Sequence, residues 1–423
     1  MDAYAFVLGS HPALSVVEIV SYCRRTGLDA TVDAALLPSA LLVTVREPLA
    51  AQDVLRNLGG APYIVHLRCT INALDPAELL TTLPDLRERA AEDRLLGISL
   101  VGSGEHSRYT SRDIRSFGMD LKRTLNVRGL RMVFPQNSMS LTSAQLFHAG
   151  FPAHGVGIVL LPDGGAFRVG TVEAVQDIRA YALRDRGRPA VDPGRGMLPL
   201  KVAQMLLNLS LVPPGGTVYD PFCGVGTIPM EAWLMGLRVF ASDRSPTQVE
   251  RTQKNLAWLV THAPWPMPGF PRESPIRVGG MPHGLEPTVF THDITKGSST
   301  LTPGSIDAVV TEGWLGPART SPPLPREAER IFAAVQTRVE QVLSLGKALL
   351  RNGGTLVITL PAFRTGKRLL RFPLQNLRFH GLSFESLLPK ELDHPIFRES
   401  ARGTLLYGRP GAFVVREIVR LRN

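Results

Sequence analysis

The 423-residue sequence holds only three cysteines, Cys23, Cys69 and Cys223, far apart and without metal-ligand spacing. That scarcity argues for a reducing, cytoplasmic setting and against a zinc site. No run of about 18 apolar residues occurs, so nothing is expected to span a membrane. The opening stretch MDAYAFVLGSHPALS has no positive region ahead of an apolar block, so it does not read as a secretory signal. No internal repeat occurs, and the one biased stretch is proline-rich. Acidic residues are the scarcer charge, 37 against 47 Lys and Arg, for a net charge of +10. This balance favours a polyanionic partner over a merely basic background.

What is present describes a soluble globular chain, with 44% hydrophobic and 20% charged residues. The length exceeds one ordinary core, so two or three domains are expected. Residues 1–72 alternate short apolar stretches in the order β-α-β-β-α-β, which suits a ferredoxin-like domain. Residues 73–176 mix helices and strands again. Within them, Ile114, Phe117, Leu121 and Leu125 recur at helical spacing, while Arg112, Arg115 and Lys122 fall on another face. From Arg108 to Arg131 there are seven basic residues against two acidic ones. Such a face suits a phosphate backbone, and equally a solvated surface. Residues 177–196 read as a basic Gly/Pro linker, and 197–423 as a separate domain of apolar strands alternating with helices.

The sharpest signal is VYDPFCGVGT, Val218 to Thr227. A strand ends at Asp220, a Gly-x-Gly turn follows at Gly224 and Gly226, and TIPMEAWLMG makes a helix. A second strand, LRVFASD, ends in Asp243, 17 residues past Gly226. Glycines let the backbone approach a ligand, a helix N-terminus offers free N–H groups, and the second acid suits ribose hydroxyls. Together these point to an adenosine-containing cofactor. Pro229 stands where a third dinucleotide glycine would lie, which disfavours a nicotinamide cofactor. No Gly-Lys-Ser/Thr follows, so the phosphate loop of an NTPase is excluded. Asp220 would repel a pyrophosphate but suits the ammonium end of S-adenosyl-L-methionine. After Asp243, Ser245, Pro246 and Gln248 spell a helix start with a capping box.

DPFCGVGTIPMEA resembles the first motif of S-adenosylmethionine-dependent methyltransferases that act on nucleic acid bases. With RDRGRPAVDPGRGMLPLKVAQMLLNLS, it resembles the THUMP-domain RNA methyltransferases, including the tRNA guanine-N2 enzymes. The resemblance implies a seven-stranded, Rossmann-like catalytic domain with one antiparallel edge strand, behind ferredoxin-like and THUMP-like domains, acting on RNA and foremost tRNA. It places Asp220, Phe222, Gly224, Gly226 and Thr227 around the methionine end, Asp243 at the ribose and Asp293 at the adenine amine.

One departure stands out. Where the family carries Asp or Asn, two prolines and Tyr or Phe, this chain reads TEGWLGP, Thr311 to Pro317. Glu312 takes the acid position, and Glu312 with Trp314 can accept from an exocyclic amine and stack on a flipped base. Two alternatives stay open: a DNA amino-methyltransferase, and a catalytically silent RNA-binding protein. Cys223 reads as a packing residue inside the turn. The stretch 261–288, with seven prolines, reads as a long insertion.

Overall fold

The computed structural model describes residues 1–102, 109–136, 138–192, 197–262, 286–296, 300–366, 368–400, 402–409 and 411–423. Most of the proline-rich stretch, 263–285, lies outside the described residues. The chain forms two compact units: Met1–Val16 with Leu28–Ile178, and Val17–Gly27 with Arg179–Asn423.

Along the chain the order is β1 (Asp2–Val7), α1 (Pro12–Thr26), most of which belongs to the second unit, then β2 (Ala30–Asp33), β3 (Ala40–Val45), α2 (Ala51–Arg56) and β4 (Tyr63–Ile71) of the first. Then come α3 (Pro76–Thr82), α4 (Leu86–Asp93), β5 (Leu95–Leu100), α5 (Ser111–Leu125), β6 (Arg131–Val133), α6 (Ser143–Ala149), β7 (Val156–Asp163) and β8 (Ala166–Val175). The β-α-β-β-α-β succession is present, but it does not close on itself near residue 72. β4 pairs with β1 on one side and β8 on the other, so one eight-stranded sheet, β2-β3-β1-β4-β8-β7-β5-β6, runs through that point. The reason is local: Tyr63–Ile71 has both backbone edges to satisfy, and β8 supplies the second.

Helix α5 forms as its periodicity predicts. Ile114, Phe117, Leu121 and Leu125 are buried, and Thr110 and Asp113 close a capping box at its start. Gly118 lets it sit close, since a Cβ there would meet the Phe134 ring at 2.6 Å.

The second unit continues with α7 (Ile178–Arg186) and α8 (Leu200–Leu209), followed by β9 (Thr217–Asp220), α9 (Thr227–Leu234), β10 (Arg238–Asp243), α10 (Pro246–His262) and β11 (Thr288–Thr291). After them run β12 (Ile306–Glu312), α11 (Pro325–Leu349), β13 (Leu350–Thr365), β14 (Arg368–Arg371), β15 (Ser383–Glu385), β16 (Leu405–Tyr407) and β17 (Val414–Arg422). Seven strands lie in the order β11-β10-β9-β12-β13-β17-β15, with β14 on β13 and β16 on β17. Strands β11, β10, β9, β12 and β13 are mutually parallel. The expected antiparallel edge strand is in fact interior: β17 lies antiparallel between β13 and β15. Its burial explains this, because Val415 and Ile418 to Leu421 are all covered, which an edge does not require.

Residues 177–192, expected to belong to a linker, are largely structured. Arg184 is buried on α7 and forms an ion pair with the fully buried Glu231 of α9, Nε to Oε1 at 2.8 Å. The charge of Arg184 is thus paired inside the second unit, while Arg179 and Arg186 are exposed. Among the described residues, no helix is long and apolar enough to cross a membrane.

Candidate functional site

The parallel strands reverse their order between β9 and its neighbours β10 and β12, the place where such sheets open a crevice. A cleft of about 750 Å³ lies there, lined by the strand-terminal acids Asp220, Asp243 and Glu312. That size falls within the range of about 300–1,000 Å³ typical of small-molecule sites.

Backbone conformation makes the turn. Gly224 has φ +54° and Gly226 φ +85°, and a Cβ on Gly226 would meet Thr252 Cγ2 at 2.8 Å. The turn is pinned from three sides. Asp243 Oδ2 accepts from the Gly224 N–H at 3.2 Å, and Thr252 Oγ1 donates to the Gly224 carbonyl at 2.8 Å. Asn255 Nδ2 donates to the carbonyls of Val225 and Ala190, both at 2.8 Å, while its Oδ1 accepts from the Ala190 N–H at 2.9 Å.

Asp220 is buried, and Oδ1 accepts from Thr311 Oγ1 at 2.6 Å and from the Phe222 N–H at 3.1 Å. Burial pushes its carboxyl up to about 7 against the pull of those hydrogen bonds. Asp243 accepts one N–H on each oxygen, with Ser245 N donating to Oδ1 at 2.9 Å. A carboxylate has about four acceptor positions, so two remain for a ligand. Phe222 lines the cleft, and Thr227 Oγ1 accepts from Arg188 Nη1 at 3.0 Å. Asp293 lines the cleft just past β11, its Oδ1 accepting from Thr295 N and Oγ1 at 3.0 and 2.8 Å, which hold it below its ordinary value.

The capping box expected at Ser245 and Gln248 is not made. Ser245 N donates to Asp243 instead, and Gln248 Nε2 donates to Asp192 Oδ2 at 2.9 Å. The short Asp243–Ser245 loop puts the aspartate closer than the glutamine. Cys223 is buried and its thiol is raised well above its ordinary value, so it offers no thiolate.

The departing loop has its own construction. Arg416 Nε donates to Glu312 Oε1 at 2.6 Å. Burial raises the Glu312 carboxyl, and the neighbouring guanidinium opposes that rise. Gly313 sits against β13, where an added Cβ would meet the Thr359 carbonyl at 2.8 Å, so the family's proline does not fit this backbone. Trp314 carries the Arg338 guanidinium over one ring face, 4.2 Å from the centroid. Arg319 clamps the loop to the start of α11 with two hydrogen bonds to Glu327, at 2.6 and 3.0 Å.

The cleft thus brings together Asp220, Phe222, Gly224, Thr227, Asp243, Asp293, Glu312 and Trp314. Gly226, the residue before α9, is not among the residues lining the cleft. Arg112, Arg115 and Lys122 belong to the other unit. Arg112 and Arg115 line a separate cavity of about 320 Å³, where Arg115 lies 4.8 Å from the Phe134 ring centroid. Lys122 is half-buried, further along α5.

Sequence reasoning missed Arg188, Asn255, Arg338 and Arg416. Asn255 carries a usable signal, a polar residue among the buried positions Val249, Thr252, Leu256 and Leu259 of α10. The three arginines carry none, because nothing local distinguishes them from surface cations.

Comparison with known proteins agrees with this geometry. Residues 188–261 match the family described as RMKL-like, methyltransferase domain. A tRNA (guanine(10)-N2)-dimethyltransferase of Methanothermobacter thermautotrophicus is 47% identical over 73 residues, 17% of this chain and 21% of that protein. A "Probable tRNA (guanine(10)-N2)-dimethyltransferase" of Methanothermococcus thermolithotrophicus is 41% identical over 56 residues, 13% of this chain and 35% of that protein. The matched stretches thus span about a fifth to a third of these relatives. Among solved structures, TrmN from Thermus thermophilus is 16% identical with a TM-score of 0.49, covering 99% of both chains. The second unit therefore contains a methyltransferase domain, whose cofactor is S-adenosyl-L-methionine.

Proposed function

We propose that this chain is an S-adenosylmethionine-dependent RNA base methyltransferase that acts on the exocyclic amine of a guanine in tRNA. The observation that carries the reading is the 73-residue stretch shared at 47% identity with a tRNA guanine-N2 enzyme. The family match over residues 188–261 includes the glycine turn, Asp243 and Asn255. In this reading residues 1–72 are the ferredoxin-like part and 73–176 the THUMP-like part. Arg112, Arg115 and Lys122 contact RNA phosphates, and the protein works in the cytoplasm.

The cleft residues suit the cofactor. Asp220 offers a buried carboxylate to its ammonium end, Gly224 and Gly226 keep the backbone bare beside the methionine, and Phe222 and Thr227 wall that end. Asp243 has two acceptor positions left for ribose hydroxyls, and Asp293 faces the adenine amine. When bound, the cofactor supplies an electrophilic methyl, its sulfonium becoming a neutral thioether as the carbon–nitrogen bond forms. Glu312 accepts a hydrogen bond from the target amine through Oε2, which frees the nitrogen lone pair and then takes the proton that the methylated nitrogen sheds. The open face of Trp314 stacks on the base.

Transfer of labelled methyl into tRNA, followed by nucleoside analysis, tests the reading. N2-methylguanosine is the expected product. Label appearing in duplex DNA alone, or tight NAD binding without transfer, would refute it.

A further inference from the structure

We propose that Arg416 selects guanine over adenine in this cleft, an inference that rests on the guanine-amine reading above. Arg416 stands near the start of β17. Because that strand runs antiparallel to β13, its start lies at the carboxyl ends of the parallel strands, where the cleft opens. Arg416 is paired in register with Pro361 of β13, and Glu312 with Thr359 of the same strand. Their side chains thus meet across the end of β13.

The donor and acceptor inventory of this pair is incomplete on purpose-fit sides. Arg416 donates from Nε to Glu312 Oε1, its sole side-chain hydrogen bond among the described residues. Four further N–H groups on Nη1 and Nη2 remain, and the side chain is only 16% exposed. Glu312 likewise keeps Oε2, with its side chain 20% exposed. Both residues line the cleft. A carboxylate acceptor therefore stands beside a guanidinium donor, both short of partners and largely shielded from water.

Guanine carries the complementary edge. Its N1–H and N2–H₂ donors lie next to the O6 acceptor, so Glu312 accepts from the amine while Arg416 donates to O6. Adenine reverses the pattern, with an N6–H₂ donor where guanine has O6. There the Arg416 N–H groups would face another donor, and Glu312 would face the N1 lone pair. Well-formed pairs of this kind discriminate by about 1–3 kcal/mol, or about 5- to 150-fold.

The test replaces the guanosine that the parent methylates with 2,6-diaminopurine riboside, which keeps the N2 amine but exchanges O6 for an amine and the N1–H for a lone pair. The parent is expected to lose about 5- to 150-fold in kcat/KM on the substituted RNA. In Arg416→Met, which has no donor, the ratio between the two RNAs should fall well below the parental value, leaving only what the N1 change costs. In Arg416→Lys, which keeps a charge beside Glu312, it should fall part of the way. Cofactor affinity by calorimetry confirms that each variant is folded. A parent indifferent to the substitution overturns the proposal. So does a parental ratio in both variants at reduced rate, the mark of a purely structural ion pair. A parent that methylates no guanosine in tRNA overturns the guanine reading itself, and that result is seen before any ratio is measured.

Discussion

Asp243 and Gly224 are joined by a hydrogen bond from the glycine N–H to the aspartate Oδ2 at 3.2 Å, from the end of one strand to the turn after another. The same carboxylate receives Ser245 N at 2.9 Å, so one side chain fixes both the turn and the entry to α10. Asp243→Ala should weaken S-adenosylmethionine binding by about 1.5–3 kcal/mol, the range for hydrogen bonds to a charged group. Calorimetry measures it directly, and unchanged affinity would remove Asp243 from the site.

The Asp220 carboxyl gives a pH signature. An unfolded aspartate ionises near pH 4, whereas burial holds this one protonated up to about 7. Between those values the folded state binds more protons than the unfolded one. The stabilisation is therefore complete below about pH 4 and is lost as pH rises through about 7. Asp220→Asn should abolish this decline and raise the melting temperature of the cofactor-free protein at pH 8, by about 2–4 °C for each kcal/mol relieved. Cofactor affinity of the parent should strengthen as pH climbs through 7, while the variant stays flat. A parental affinity independent of pH from 6 to 8 would argue against an ammonium partner at Asp220.

The α5 face makes a claim about salt. If Arg112, Arg115 and Lys122 each neutralise a phosphate, replacing all three should lower the salt slope of RNA binding by roughly two to three. The proposed cofactor residues belong to the other unit, so cofactor affinity should not move. Parental RNA affinity and slope in the triple variant would return this face to ordinary solvated surface.

Glu312 and Trp314 should separate kinetically. Glu312→Gln keeps the size but loses the charge, so single-turnover methyl transfer at saturating RNA should slow. Trp314→Ala should chiefly weaken RNA capture, since stacking contributes about 1–3 kcal/mol per base. It also strips Arg338 of the ring under its guanidinium. A folded Glu312→Gln variant transferring methyl at the parental rate would rule out the proposed acceptor role.

Much of the catalytic unit was legible because its signals are local. Asp220, the two glycines and Asp243 are spaced by the strand-turn-helix-strand geometry itself, and each lies at the expected place in the sheet. The burial of Arg184 was illegible for the opposite reason. Its partner Glu231 is 47 residues away, and a run of Arg, Gly and Pro reads as exposed chain unless that partner is seen. Gln248 misled because Ser-Pro-x-Gln satisfies the capping pattern, while Asp243 and Asp192, outside the pattern, took both hydrogen bonds. The continuity of the first sheet was hidden likewise, since the pairing of β4 with β8 spans about a hundred residues of sequence.

The interior place of β17 has a consequence for how the second unit comes into being. Nine residue pairs join β17 to β13, and β15 and β16 both depend on it for their hydrogen bonds. A chain interrupted before Val414 would leave β13 with a bare, apolar flank and β15 with no neighbour at all. Such flanks recruit other strands, so nascent or truncated copies should be far more prone to self-association than the finished protein. The lining of the cleft is consequently drawn from distant parts of the chain: the glycine turn precedes Arg416, the partner of Glu312, by roughly two hundred residues. Until that strand pairs with β13, Glu312 lacks the guanidinium that donates to its Oε1.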